Sequence, residues 1–181
     1  MNINLQQVLE NDRMILRPLS GDDFEALYAV AADPQIWEQH PQTDRWKKEV
    51  FRVFFNEAMA SNGAFKIVDK YSSDIAGSTR FYEYNKEDDS ILIGYTFYAT
   101  RYWGKGINLS VKACMLDYIF SFVSKVFFYV GNTNIRSQIA VTRLGAEKVG
   151  EQEADRSGEI PKLNFVYRIT REDWLNKKSK G

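Results

Sequence analysis

The sequence predicts a single α/β domain of the α+β kind, with helices flanking a mixed, mostly antiparallel twisted sheet of about seven strands. Three observations carry this prediction. Stretches of period 2 and period 3.6 follow one another in the order β-α-α-β-β-β-α-β-α-β-β. An aromatic, β-prone run, Ile93–Tyr98, feeds a glycine-bearing loop and then a long helix. No internal repeat, low-complexity tract or linker divides the 181 residues, a length that suits one hydrophobic core.

Arg13–Pro18 alternates as a first strand, and Pro18 stops it. Ser20 is placed to cap a helix that begins Asp22-Asp23-Phe24, with acids in its first turn. Asp33-Pro34 restarts the chain as a short helix, capped by Asp33 with Pro34 at its first position, which runs out near His40-Pro41. From Arg45 to about Ala60, Trp46, Val50, Val53, Phe54 and Ala58 outline a longer amphipathic helix. After Asn62-Gly63 come the strands Ala64–Val68, Asp74–Tyr84 and Ile91–Tyr98, the last two joined by the polar hairpin connection Tyr84–Ser90. Beyond Gly106, the apolar residues Ile107, Val111, Met115, Tyr118, Ile119 and Phe122 recur at steps of three and four, the face of one helix. Lys125–Val130 reads as a strand, Ile135–Leu144 as a helix closed by Gly145, and Ala146–Glu151 and Leu163–Ile169 as the last strands, before a polar tail that contains Trp174.

Lys+Arg and Asp+Glu balance at 24 each, which argues against a broad attraction to nucleic acid or to an anionic membrane. The single cysteine, Cys114, cannot form an intramolecular disulfide and reads as a packed thiol within the long helix. The early residues Glu10, Asp12 and Arg13 leave no apolar core for a signal peptide, and the most apolar run, Phe120–Val130, is broken by Ser121, Ser124 and Lys125 and is too short to span a bilayer. A soluble, cytoplasmic protein without a metal site is expected.

The stretch Arg101-Tyr102-Trp103-Gly104-Lys105-Gly106-Ile107-Asn108 carries the chemistry. A strand that turns through glycines into a helix leaves backbone N–H groups without intrahelical partners, and with the positive end of the helix dipole these suit a phosphate. No Gly-Lys-Ser/Thr triplet of a P-loop occurs. Leu109 stands where a dinucleotide fingerprint has its third small residue.

Arg101-x-x-Gly104-x-Gly106 resembles the pyrophosphate loop Q/R-x-x-G-x-G/A of the GNAT superfamily of N-acetyltransferases. The order of elements is also that of the GNAT fold, whose two central strands splay apart. Four separate stretches resemble the branch of the ribosomal-protein N-terminal (RimJ/RimL-like) acetyltransferases: Leu16-Arg17-Pro18-Leu19 with Asp22-Asp23, Ile93-Gly94-Tyr95 with Tyr102–Gly106, Asn134-Ile135-Arg136-Ser137 with Leu144-Gly145-Ala146, and Val166–Ile169 with Trp174. The likeness covers roughly residues 10–174.

The resemblance implies acetyl-coenzyme A as cosubstrate and direct transfer to an amine acceptor, either a peptide N-terminus or a small amine, in a monomer or homodimer. The backbone of Trp103, Gly104, Lys105, Gly106, Ile107 and Asn108 would hold the pyrophosphate, with Lys105 and Arg101 adding charge. Phe97 and Tyr98 would line the slot for pantetheine, and the N–H of Tyr98 would polarise the thioester carbonyl and stabilise the oxyanion. Asn134 would bond the pantetheine arm as well as cap its helix, and Ser137 would protonate the departing thiolate. Many relatives carry Glu directly before Ile-Gly-Tyr, and a Thr-Glu pair after the loop; here Leu92 and Leu109-Ser110 stand at those places. The base therefore falls to another group: Asp155 first, with Glu153, Glu83 and His40 also open. The alternative is a coenzyme A-binding or protein-interaction module that kept the scaffold and lost the chemistry.

Overall fold

The computed structural model describes residues 3–154 and 162–180. Eight strands form one sheet: β1 (Leu9–Glu10), β2 (Met14–Pro18), β3 (Ala64–Asp69), β4 (Ile75–Asn85), β5 (Ser90–Tyr98), β6 (Lys125–Gly131), β7 (Glu147–Ala154) and β8 (Lys162–Thr170). The helices are α1 (Phe24–Ala31), α2 (Lys48–Ala60), α3 (Ile107–Ile119), α4 (Ile135–Leu144) and α5 (Arg171–Ser179). The spatial order is β1-β2-β3-β4-β5-β6-β8-β7. Only β5 and β6 run parallel, joined through α3.

The strand beyond the expected seven is β1, two residues at the sheet edge opposite Leu16 and Ile15, too short for any period to show. The tail is likewise more than a tail. Thr170 accepts from Asp173 N–H to cap α5, and Trp174, buried, donates its indole N–H to Asp117 on α3 at 2.8 Å. The stripe of α2 also differs from expectation. Phe51, Phe54, Phe55 and Ala58 face inward, while Val53 is 59% exposed and Trp46 precedes the helix. The larger rings take the core, because they bury more apolar surface. Cys114 is a packed thiol, half-buried against the Glu10 carbonyl at 3.3 Å, and burial raises its pKa.

Two cores lie on opposite faces of the sheet. The larger one, under α3, joins Met14, Phe65, Phe81 and Ile93 of the first five strands to Val126 and Phe128 of β6 and Tyr167 and Ile169 of β8. The other is an aromatic cluster of Phe24, Trp37, Phe51, Phe54, Phe55 and Phe97, packed between α1, α2 and the first half of the sheet alone.

One irregularity positions everything that follows. Ser78 faces Phe97 and Arg80 faces Gly94, so that two residues of β5, Tyr95 and Thr96, oppose the single Thr79. This is a β-bulge, with Tyr95 at φ 52°. It reverses the parity of the strand: Ile91 and Ile93 face α3 before it, and Thr96 and Tyr98 face α3 after it. It also bends β5 away from β6. The two strands pair only over Ser90–Leu92 and Lys125–Phe127, and then part.

Candidate active site

The parted strands open a cavity of about 290 Å³. Its walls come from the bulge (Gly94, Tyr95, Thr96), from α3 (Asn108, Lys112), from β6, and from the start of α4 (Asn134, Ser137). His40 and Arg45, from the connection before α2, and Tyr82 and Glu83 of β4 also line it.

Tyr98 is not among the residues that line the cavity, but its backbone points to the same edge of β5. Ala99 N–H donates to the Ala76 carbonyl at 2.8 Å, across to β4. Neighbours alternate in an antiparallel ladder, so the N–H and C=O of Tyr98 point to the opposite edge, which β6 has left. Trp103 bears out the direction: its indole N–H reaches the Tyr98 carbonyl at 3.1 Å. The phenol of Tyr98 points elsewhere, into the core under α3, where its hydroxyl is buried without a partner and burial pushes its pKa up.

The glycine loop forms as its sequence demands. Gly104 and Gly106 both hold φ +72°, a conformation that side chains resist, with open space where a Cβ would stand. Gly106 caps α3 without a side-chain cap, so the first turn of the helix leaves N–H groups without intrahelical partners. Trp103 N–H is used, donating to Thr100 O at 3.0 Å. The Trp103 ring instead lies under the Arg136 guanidinium, 4.0 Å from the ring centroid, so that the loop and α4 touch across the slot.

Asn134 accepts from Ser137 N–H at 3.2 Å and so caps α4, and both residues line the cavity. Other expected site residues stand apart from it. The Phe97 ring packs in the aromatic core against Trp37, Phe51 and Phe54, because the bulge has turned its parity away from α3. Ile107 is buried under α3. Arg101, exposed, pairs with Asp74 at 3.3 Å. Lys105 is exposed on the loop itself. Among the acid and base candidates, Glu83 is exposed at the cavity's rim with φ 50°, and Glu153 is exposed on β7. Asp155 lies outside the described residues. His40 Nδ1 accepts from Gln42 N–H at 3.1 Å, and its Nε2 lies 3.0 Å from Arg45 Nη1.

Sequence reasoning missed Lys112. This residue is buried on the inner side of α3, and its Nζ donates to Thr79 Oγ1 at 2.8 Å and Thr96 Oγ1 at 2.6 Å. The two hydroxyls are themselves 2.8 Å apart. Burial pushes the lysine down to about 7. One turn earlier on the helix, the amide oxygen of Asn108 is buried with no partner. Among the described residues no cluster of His, Cys, Asp or Glu is fit to hold a metal ion, and no helix is long and apolar enough to cross a membrane.

A family model described as an acetyltransferase (GNAT) domain matches residues 13–147. Solved structures show the same fold. A GCN5-related N-acetyltransferase from Brucella melitensis is 17% identical with a TM-score of 0.83, over 96% of this chain and 83% of that one. Mycobacterium smegmatis RimJ, in complex with CoA-disulfide, is 17% identical with a TM-score of 0.73, over 96% and 91%. Spermidine N-acetyltransferase from Vibrio cholerae, in complex with CoA and spermine, is 18% identical with a TM-score of 0.69, over 92% and 100%.

Proposed function

Because the chain belongs to the GNAT family of acetyltransferases, we propose that it transfers an acetyl group from acetyl-coenzyme A directly to a primary amine, the α-amine of a peptide or a small amine. The observation that carries this is the slot: β5 and β6 part after three residue pairs and leave the backbone of Tyr98 facing the gap. The residues present fit the cosubstrate. Gly104 and Gly106 leave open space over the loop, and the first turn of α3, which no side chain caps, suits a pyrophosphate. The neighbours solved with CoA and with spermine favour the same donor and an amine acceptor.

Acetyl-coenzyme A supplies an activated acyl group. The chain holds it beside the amine, and positioning of that kind accounts for a large share of the rate in such reactions. Tyr98 N–H polarises the acyl oxygen, Asn134 fixes the arm, and Ser137, one turn into α4, faces the sulfur that leaves.

Thermal unfolding with acetyl-coenzyme A, with ATP and NAD as controls, tests the donor. At about a hundred times the dissociation constant, stabilisation is about 2.7 kcal/mol, a rise in midpoint of about 5–11 °C for a chain of this size. No rise at saturating acetyl-coenzyme A sinks the assignment of the loop. Ser137→Ala is expected to retain that rise while turnover falls on the order of 10²-fold. Unchanged turnover would remove Ser137 from the chemistry and leave it as part of the wall.

A further inference from the structure

Acetyl transfer must remove a proton from the attacking nitrogen and give one to the departing sulfur. The groups at this cavity able to do so are few. Glu83 is exposed at the rim, and His40 faces Gln42 N–H with one ring nitrogen and Arg45 with the other. Lys112 differs from both, being enclosed on the α3 side of the bulge. Two of its nitrogen's positions are taken by the hydroxyls of Thr79 and Thr96. The remaining one carries a third proton when the amine is charged and a lone pair when it is neutral. Lys112 and the unpartnered amide oxygen of Asn108, four residues apart on one helix face, both line the cavity.

We propose that Lys112 is the proton carrier of the reaction: its neutral Nζ accepts the proton of the attacking amine and passes it to the leaving sulfur. This rests on acetyl-coenzyme A being the donor. The bond between the acceptor nitrogen and the acyl carbon forms, and the bond between that carbon and sulfur breaks. The proton goes from nitrogen to Nζ and then, by way of the Ser137 hydroxyl, which gives its proton to the thiolate and takes one back, to sulfur, so that Lys112 and Ser137 end as they began and no further base is consumed. Thr79 and Thr96 hold the amine in place in either charge state, since a hydroxyl accepts from both forms. The neutral form is within reach near pH 7, because burial has lowered the affinity of Nζ for its proton. The ionisable groups that share the cavity are His40, Arg45, Tyr82, Glu83, Tyr95 and Tyr129. None of them is a cause of the shift at Lys112, which desolvation alone accounts for.

The test uses Lys112→Met and Thr96→Val in the whole chain. The probes are acetyl-coenzyme A with an Ala-Gly-Gly peptide or spermidine as acceptor, together with the slow loss of the acetyl group to water. Turnover of the parent should rise with pH through about 7, at a position common to the acceptors. In Lys112→Met it should fall by on the order of 10²-fold or more, without that limb. Thr96→Val should keep the limb and move it to lower pH, because the ammonium loses an acceptor. Thermal stabilisation by acetyl-coenzyme A is measured on each protein. Stabilisation in all three with an unaltered limb overturns the role of Lys112 alone and returns the base to Glu83. A parent whose turnover falls with pH through 7 overturns it as well, since Lys112 then serves as a fixed cation. No stabilisation in any of them overturns the donor assignment, and this proposal with it.

Discussion

Trp37→Ala is expected to lower stability by about 3–5 kcal/mol, a drop in thermal midpoint of about 6–20 °C for a chain of this size. The ring is 1% exposed and is the post on which the aromatic core leans. It meets Phe97 at 5.1 Å, His40 at 5.5 Å and Phe54 at 6.2 Å between ring centroids, and its indole N–H donates to the Ala31 carbonyl at 2.8 Å. Truncation leaves a cavity flanked by stiff rings that cannot collapse into it, and it frees a buried carbonyl. Activity should suffer beyond the loss of folded protein. Phe97 precedes the backbone of Tyr98, and Arg45, whose guanidinium sits 5.6 Å over the Trp37 ring, lines the slot. A displacement of about 1 Å there is enough to cost on the order of 10²-fold in rate. Trp46→Ala, at an exposed ring, is the control and should stay within about 0.5 kcal/mol of the parent. Urea unfolding of the two variants decides the matter, and equal midpoints would show that Trp37 does not organise this core.

Lys112→Met is expected to make the fold more stable, by a margin that depends on pH. The lysine is lowered from its usual 10.5 to about 7 by desolvation. Below the lower value both the folded and the unfolded chain hold the proton; above the upper value neither does. In between, the unfolded chain is protonated and the native amine is not. Unfolding there takes up a proton, so parent stability climbs with pH at about 1.4 kcal/mol per unit. Methionine has no such proton. The advantage of the variant is therefore greatest at pH 7 and below, on the order of a few kcal/mol, and shrinks towards pH 10. Other lysines and tyrosines titrate in both proteins and cancel in the difference. Urea midpoints at pH 7, 8 and 9 should converge, and parallel curves would show that the lysine is charged in the fold across that range.

The legible parts of the molecule are those written by local chemistry. Gly104, Gly106 and Gly145 take positive φ because the turns demand it, and Asn134 caps α4 as an N-cap should. The illegible parts depend on distant partners. Arg101 finds Asp74, which lies 27 residues away, and Trp174 makes a helix of the tail by finding Asp117. Phe97 and Tyr98 exchange faces through a single extra residue in β5, which alternation alone cannot reveal. Lys112, a charged residue outside the apolar stripe, drew no reading from the sequence. Its one signal was its place three and four residues before Met115 and Leu116, within the inward sector of α3.

The two cores are unequal in reach, and this gives the domain a mechanical axis. The core under α3 joins β1 through β6 to β8, whereas the aromatic core serves only the first half of the sheet. The walls of the slot are thus joined by a continuous core along one side, and along the other by local contacts such as those of Arg136 with Gln39, Ile36 and Trp103. Their own strands link them through three residue pairs alone. A chain lying in the gap and bonding to both walls supplies the rungs that the sheet lacks. If that chain is the arm of the donor, stiffening of the domain and alignment of the reacting groups are one event.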